Sequence, residues 1–192
     1  MTDADRKLST REERRATVMR AATGVFAARG YYGTTTTEVA ERADMSQAYL
    51  YRLYPDKEAL FVAVVEYCGT RILECVAEGA SHVRSGDPEA VLFAMGDEYA
   101  RMVAADHDLV MVFMQAVSAA GEPAIGAAMR GMYARAVEYV RTASGAPDEA
   151  IQMFFMRGFW CNSVIALGAG NVEEPWARTL THGLLRYPPQ AS

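Results

Sequence analysis

The chain has 192 residues, half of them hydrophobic and a tenth aromatic, which excludes a disordered or low-complexity protein and allows one large domain or two small ones. No apolar run of about 18 residues occurs, the N-terminal residues are polar, and the three cysteines form no disulfide framework, so we expect a cytoplasmic protein without a membrane span. The net charge of −5 divides into +1 for residues 1–58 and −6 for residues 59–192. Any surface that binds phosphate is therefore expected near the N-terminus.

Helical spacing of the apolar residues predicts an all-α fold of about nine helices, with short breaks at Gly, Pro, Asn, Asp and Ser. The first helix is predicted from Thr10 to Ala28. Thr10 and Glu13 match a capping box, and Gly30 is placed where a left-handed C-cap would end the helix.

Two short helices are predicted next. The second helix follows Thr35, which forms another capping box with Glu38, and the third covers residues 47–54 behind Ser46 as N-cap. Two small residues of the second helix would permit close approach: Ala40 and Ala43. Short helices joined by a three-residue turn form a helix-turn-helix, whose second helix enters the major groove of DNA N-terminus first. Three side chains would then meet base edges: Gln47, Ala48 and Tyr49.

The segment GYYGTTTTEVAERADMSQAYLYRLYPDKEALF, residues 30–61, resembles the signature of the TetR family of bacterial regulators. That signature reads loosely G-[YF]-x-x-T-[TS]-x-x-x-[IV]-A-x-x-A-G-V-S-x-G-x-[LIF]-Y-x-[YH]-F-x-x-K-x-x-L. The likeness extends over about fifty residues without gaps, whereas the rest of the chain resembles the family only in being helical and of suitable length.

The resemblance implies that Thr36 and Thr37, at the start of the second helix, contact phosphates. It implies further phosphate contacts by the Tyr51 hydroxyl and by Lys57, which lies at the start of a fourth helix that begins at Asp56. The complete set of expected DNA-binding residues is Thr36, Thr37, Ser46, Gln47, Ala48, Tyr49, Tyr51 and Lys57.

Three positions depart from the family pattern. Asp44 replaces the turn glycine, which costs about 1 kcal/mol where a left-handed conformation is needed. Leu53 stands where a Tyr or His is common, and Ala48 replaces a common Gly. These departures bear on affinity for DNA and leave the motif in place.

The chain from about residue 88 to residue 160 is rich in Met and aromatic residues, which suits either an ordinary core or a cavity for a small hydrophobic effector. The resemblance favours the cavity. Its expected lining residues are Met102, Phe113, Gln115, Arg157, Trp160 and Asn162.

The last two helices are predicted over residues 148–167 and 172–185, the second capped by Asn171 and Glu174. Similar proteins dimerise through such a pair, and a single short recognition helix contacts few bases, so a homodimer is expected. We expect a helix-turn-helix DNA-binding domain over residues 1–55 and an effector-binding and dimerisation domain over residues 56–192.

The sequence therefore predicts a ligand-responsive repressor that binds a palindromic operator as a dimer and is released by a small hydrophobic effector. No nucleotide-binding loop, hydrolase motif or zinc-ligand pattern occurs, so we expect neither enzymatic activity nor a cofactor or metal. An activator with the same fold is one alternative. A helical binding or catalytic protein with a vestigial helix-turn-helix is another.

Overall fold

The computed structural model describes residues 3–84 and 86–184. Over these two stretches every regular element is helical, which confirms the predicted all-α fold of about nine helices. A short 3-10 helix, Ala169–Asn171, precedes the last α-helix. The α-helices are α1 (Asp3–Gly33), α2 (Thr36–Arg42), α3 (Gln47–Leu53), α4 (Lys57–Ser81), α5 (Pro88–Ala105), α6 (His107–Ser118), α7 (Pro123–Ser144), α8 (Asp148–Ala166) and α9 (Pro175–Thr181).

The chain packs as two compact units. The first contains the chain up to Cys68 together with Met111–Met129, and the second contains Gly69–Val110 and the chain from Arg130 onward. Helices α4, α6 and α7 contribute residues to both units. The division expected at residue 55 concerns function and stays a prediction.

The core of the first unit is built around two fully buried aromatic rings. The ring centroids of Phe26 in α1 and Phe61 in α4 lie 4.6 Å apart, and Tyr31 adds a third ring 5.3 Å from Phe61. Burying a phenylalanine side chain contributes about 2–3 kcal/mol. The same core holds further fully buried apolar residues: Val18, Ala22, Val39, Leu60 and Val64.

The second unit has its own apolar cluster, which joins residues of α4, α5, α7 and α8. Helix α5 packs against α8 in this unit. The buried members of the cluster are Val76, Val91, Met95, Val140, Ala146 and Ile151.

The first helix is longer than predicted. It begins at Asp3 rather than Thr10, so the Thr10–Glu13 pattern lies inside the helix and does not cap it. No proline interrupts residues 3–29, and Leu, Arg and Glu propagate a helix well. The break expected at Gly30 is present, with φ 69° and ψ 180°, and one further turn continues to Gly33.

The last helix is shorter than predicted. Helix α9 starts at Pro175, and Glu174 precedes it without a side-chain capping bond, so the predicted cap at Asn171 is wrong. A proline disfavours helical conformation in the residue before it and suits the first helical position itself. Leu185, the predicted end of this helix, lies outside the described residues. Gly168 ends α8 in the left-handed conformation, as its position predicts.

Candidate DNA-binding surface

Local capping fixes the start of α2. The Thr35 hydroxyl accepts from the Glu38 amide at 3.3 Å, and Glu38 Oε2 accepts from the Thr35 amide at 2.9 Å, which is the predicted capping box. The hydrogen bond from the Thr35 backbone holds the pKa of Glu38 below its ordinary value, helped by the Thr35 hydroxyl and by Arg29, which pairs with this carboxylate at 2.6 Å. The box therefore sets where the helix-turn-helix begins.

The turn between α2 and α3 places Asp44 at φ 52°, the left-handed conformation expected for this position. The amide of Met45 closes the turn by donating to the Ala40 carbonyl at 2.9 Å. Ala40 and Ala43 are both buried, at 3% and 4% exposure. Helix α3 then starts at the Ser46 N-cap, whose hydroxyl accepts from the Tyr49 amide at 3.2 Å.

Helix α3 has one buried face and one exposed face. Leu50 is 1% exposed and anchors the helix in the core. Gln47, Ala48 and Tyr51 are exposed, and Tyr49 is half-buried. Three of the four helix residues expected to face DNA thus lie open to solvent.

A hydrogen-bonded chain joins three of the expected DNA-binding residues. The side-chain amide nitrogen of Gln47 donates to the Thr36 hydroxyl at 3.0 Å, and the Thr36 and Tyr51 hydroxyls lie 3.0 Å apart. Thr36 is only 9% exposed, whereas its neighbour Thr37 is exposed. Thr36 therefore already uses its hydroxyl within the protein.

The Tyr49 ring is flanked by two arginines. The guanidinium carbon of Arg14, from α1, lies 5.4 Å from the ring centroid, and that of Arg52 lies 5.7 Å from it. These are cation–π distances, and both arginines are solvent-exposed. Arg14 lies 35 residues before Tyr49 in the chain, so no local sequence pattern predicts their contact.

Lys57 is held at the start of α4. Its ammonium donates to the Thr34 carbonyl at 3.3 Å and lies 4.6 Å from the centroid of the Tyr31 ring. Asp56 caps the same helix by accepting from the Ala59 amide at 2.7 Å. The lysine is half-buried, so its charge sits at a defined place beside the helix-turn-helix.

Residues of α6 and of the loop between α6 and α7 belong to this unit and contact the last residues of α1. The Tyr32 hydroxyl donates to the Glu122 carboxylate at 2.9 Å, and this bond is the main reason that the pKa of Tyr32 is raised. Gln115 lies against the backbone of Gly30. Neither contact is predictable from local spacing.

The expected effector-lining residues are divided between the two units, and their role stays a prediction. Phe113 and Gln115 belong to the first unit, and the other four belong to the second. Phe113 is buried, Met102 is half-buried, and Arg157 is exposed. Asn162 is 1% exposed and accepts at 2.8 Å from the hydroxyl of Tyr99, a partner that sequence analysis missed. Burial raises the pKa of Tyr99 far above its ordinary value.

Trp160 belongs to an exposed apolar surface of the second unit. Its indole nitrogen donates to the Leu180 carbonyl at 3.1 Å, and the ring remains 41% exposed. It borders an open groove of about 930 Å³ formed by residues of α7 and α8. The apolar lining of this groove, called the α8 groove below, comprises Tyr133, Val137, Ile151, Phe155, Met156, Phe159 and Trp160.

Helices able to cross a lipid bilayer are absent from the part of the chain that the structure describes. The same residues contain no group of three or more His, Cys, Asp or Glu side chains placed to hold a metal ion.

Comparison with known proteins identifies the helix-turn-helix unit. Residues 18–64 match the family of bacterial regulatory proteins described as the tetR family. The HTH-type transcriptional repressor Rv3405c of Mycobacterium tuberculosis is 32% identical over 71 residues, which are 37% of this chain and 38% of that protein. The HTH-type transcriptional activator FasR of Mycolicibacterium smegmatis is 39% identical over 56 residues, 29% of this chain and 26% of that protein. The matches thus span well under half of these relatives.

Solved structures share the fold over more of the chain. A TetR family transcription regulator from Marinobacter aquaeolei VT8 has a TM-score of 0.68 at 18% identity, covering 90% of this chain and 93% of its own. A TetR-like transcriptional regulator from Rhodococcus sp. RHA1 has a TM-score of 0.64 at 22% identity, covering 87% and 91%. The helix-turn-helix unit therefore matches the tetR family of bacterial regulatory proteins, and the all-helical fold is shared with solved TetR family regulators.

Proposed function

We propose that the protein is a ligand-responsive transcriptional repressor that binds a palindromic DNA operator as a homodimer and is released by a small hydrophobic effector. The observation that carries the proposal is the exposure of Gln47, Ala48 and Tyr51 on a helix that buried Leu50 anchors in the core. A recognition helix needs this division, because base edges can be reached only by side chains that the protein itself leaves uncovered.

In this proposal the N-terminal half of α3 lies in the major groove. Gln47 can pair with adenine, Ala48 can contact a thymine methyl group, and Tyr49 offers a ring and a hydroxyl. The surrounding hydroxyls and the Lys57 ammonium contact phosphates and set the register of the helix on the duplex. Because its target is the cell's DNA, the protein would act in the cytoplasm.

A dimer follows from the size of this surface. One seven-residue recognition helix reads few base pairs, so useful affinity requires two half-sites about one helical turn, roughly 34 Å, apart. The α8 groove supports the choice of a dimer surface, because Met156, Phe159 and Trp160 leave apolar area exposed there. We propose that the equivalent face of a second copy covers it.

Effector binding is assigned to the domain formed by residues 56–192. The hydrogen-bonded pair of half-buried Tyr99 and buried Asn162 supplies polar groups in the second unit, and such groups orient small ligands in apolar cavities. The remaining candidates for this role are Met102, Phe113, Gln115, Arg157 and Trp160. An effector that favours one conformation would change DNA affinity through a coupling of about 1–3 kcal/mol.

The direction of regulation is proposed as repression. The relatives matched over the helix-turn-helix include a protein named as a repressor and one named as an activator, so the activator is the second candidate. A reporter gene placed downstream of the selected operator distinguishes repression from activation. Expression that rises when the regulator is deleted supports repression, and expression that falls supports activation.

The decisive experiment is selection of operators from random duplex DNA with the full-length protein. We expect a palindromic consensus bound with strong salt dependence, and a Gln47→Ala variant should change the base preference at one position of each half-site. A vestigial helix-turn-helix on a binding or catalytic protein would instead select no sequence and show no salt-dependent affinity.

The effector is sought separately, by thermal-shift measurements against a panel of small apolar metabolites. A ligand that raises the melting temperature should also release the selected operator. If no compound in a broad panel does both, the ligand-responsive part of the proposal is wrong, whereas DNA binding is judged by the selection alone.

A further inference from the structure

We infer that Thr36 is a positioning residue that ties base reading by Gln47 to phosphate binding by Tyr51, and that Thr36 itself does not contact DNA. This inference rests on the proposed function, because it concerns how the α2–α3 surface recognises a sequence. It revises the role that resemblance alone assigns to Thr36.

Geometry is the first support. Thr36 opens α2, while Gln47 and Tyr51 stand four residues apart on α3 and therefore share one face of that helix. Both reach the same hydroxyl at 3.0 Å. Only 9% of Thr36 is exposed and its hydroxyl lies within hydrogen-bond distance of both side chains, so these contacts compete with a phosphate for it.

Proton positions give the second support. Thr36 carries one hydroxyl proton, and its oxygen already accepts from the Gln47 amide. If Thr36 donates to the Tyr51 oxygen, the Tyr51 proton is free to point outward. A phosphate only accepts hydrogen bonds, so it favours this direction over the reverse one, in which Tyr51 would donate inward and present lone pairs to the phosphate. Binding of a phosphate at Tyr51 therefore sets which group donates and which accepts in each hydrogen bond of the Gln47–Thr36–Tyr51 network. Successive hydrogen bonds in such a network polarise one another.

The consequence for specificity lies at Gln47. A free glutamine can turn its amide to offer either an acceptor or a donor, and it loses side-chain entropy when a base fixes it. Donation to Thr36 fixes the orientation of the amide before DNA arrives. A preorganised reader discriminates bases at a smaller entropic cost, so the Thr36 hydroxyl should contribute to sequence preference without touching a base.

The test compares Thr36→Val with Thr37→Val in the full-length protein, using the operator selected as described above. Both changes replace a hydroxyl by a methyl group in adjacent residues, one buried and one exposed. For Thr36→Val we expect a loss of roughly tenfold in discrimination at the base pair read by Gln47, with the salt dependence of binding unchanged. For Thr37→Val we expect weaker binding to all sequences alike, because a hydroxyl that contacts only phosphate carries no base information.

Two further variants protect the test against a folding defect. Thr36→Ser keeps the hydroxyl and should restore discrimination. Tyr51→Phe removes the hydroxyl of an exposed residue at the other end of the Gln47–Thr36–Tyr51 hydrogen-bond network. It should reduce discrimination at the Gln47 base pair as well as phosphate binding. Thermal melts of each variant identify any loss of structure.

The opposite results would overturn the inference. If Thr36→Val weakens binding to every sequence equally and leaves discrimination at the Gln47 base pair intact, Thr36 is a phosphate contact. If Tyr51→Phe leaves base discrimination intact, the link between the two residues is refuted. A wild-type protein that selects no DNA sequence defeats the proposed function, and this inference with it.

Discussion

The backbone of Gly30 lies against the side-chain amide of Gln115, so closely that a Cβ atom on Gly30 would stand 2.4 Å from the Gln115 Oε1 atom. Gly30 also adopts φ 69° and ψ 180°, a combination that is essentially restricted to glycine. Space and backbone conformation therefore both require glycine at the end of α1, immediately before the helix-turn-helix.

We predict that Gly30→Ala destabilises the protein. The backbone conformation alone should cost about 1–3 kcal/mol, and displacement of Gln115 should add to it. Urea denaturation measures the difference. In the double variant Gly30→Ala with Gln115→Ala, the loss of unfolding free energy caused by the steric clash should disappear, and the loss caused by the backbone conformation should remain. Gly145→Ala is the control, because Gly145 has φ 65° and no atom of the described residues lies near the position of an added Cβ. This variant should therefore lose stability through backbone strain alone. A Gly30→Ala protein as stable as the wild type would contradict this account.

The helix-turn-helix is predictable from sequence because its signals are local. The capping box of Thr35 and Glu38 and the Ser46 N-cap each act over three residues, and all are present in the structure. The Gly30–Gln115 and Tyr32–Glu122 contacts join residues 85 and 90 positions apart, respectively. No local pattern encodes such pairs, so the reason for glycine at position 30 becomes visible only in the fold.

The candidate site shows the same limit. Hydroxyl chemistry at the start of α2 suggests phosphate binding for Thr36 and Thr37 alike, because the two residues are chemically identical and adjacent. Only their burial separates them. Likewise, Arg14 and Tyr49 lie 35 residues apart, and their contact depends on how α1 and α3 are placed in the first unit.

We predict that Asp44→Gly stabilises the protein by up to about 1 kcal/mol. Asp44 has φ 52°, where a side chain costs energy that glycine does not incur, although glycine also gives the unfolded chain more freedom. Asp44→Val should be destabilising, because a β-branched residue tolerates this conformation poorly. The midpoints of urea denaturation for the two variants should therefore shift in opposite directions. Equal shifts would show that the turn does not depend on this dihedral angle.

We predict that Arg14→Met weakens operator binding about two- to fivefold, which corresponds to the loss of an exposed cation–π contact. The change removes one of the two arginines that flank the Tyr49 ring and leaves Arg52, so preference at the base pair read by Tyr49 should also decline. Fluorescence anisotropy with the selected operator and single-base variants measures both effects.

Arg20→Met is the matched control for Arg14. It removes the same charge from an exposed position of α1, where the arginine donates to the Thr17 hydroxyl. It should weaken binding slightly and equally for all sequences. If the two variants behave alike, the Arg14–Tyr49 contact plays no part in recognition.

We predict that Cys75 reacts with iodoacetamide far more slowly in the native protein than in denaturant at pH 8. Burial, followed by the charge of Glu98, raises the pKa of its thiol to about 11, so the reactive thiolate is scarce. The unfolded thiol ionises near 9, so the stability gained from the neutral buried thiol is present below that pH and is lost between about 9 and 11. Cys75→Ala should flatten the stability–pH curve in that range. Rapid native alkylation would contradict the burial of this thiol.

We predict that Phe159→Glu converts the protein to a monomer. Phe159 is 41% exposed in the α8 groove, and a carboxylate there would have to be desolvated without a partner when a second copy covers the face. Phe93→Glu is the control, because Phe93 is 70% exposed on α5 and does not line the groove. Sedimentation velocity should show a monomer for the first variant and a dimer for the second, with unchanged helical circular dichroism. Since a monomer engages only one half-site, Phe159→Glu should also bind the full palindrome no better than an isolated half-site. A Phe159→Glu dimer alongside a Phe93→Glu monomer would move the dimer surface from α8 to α5.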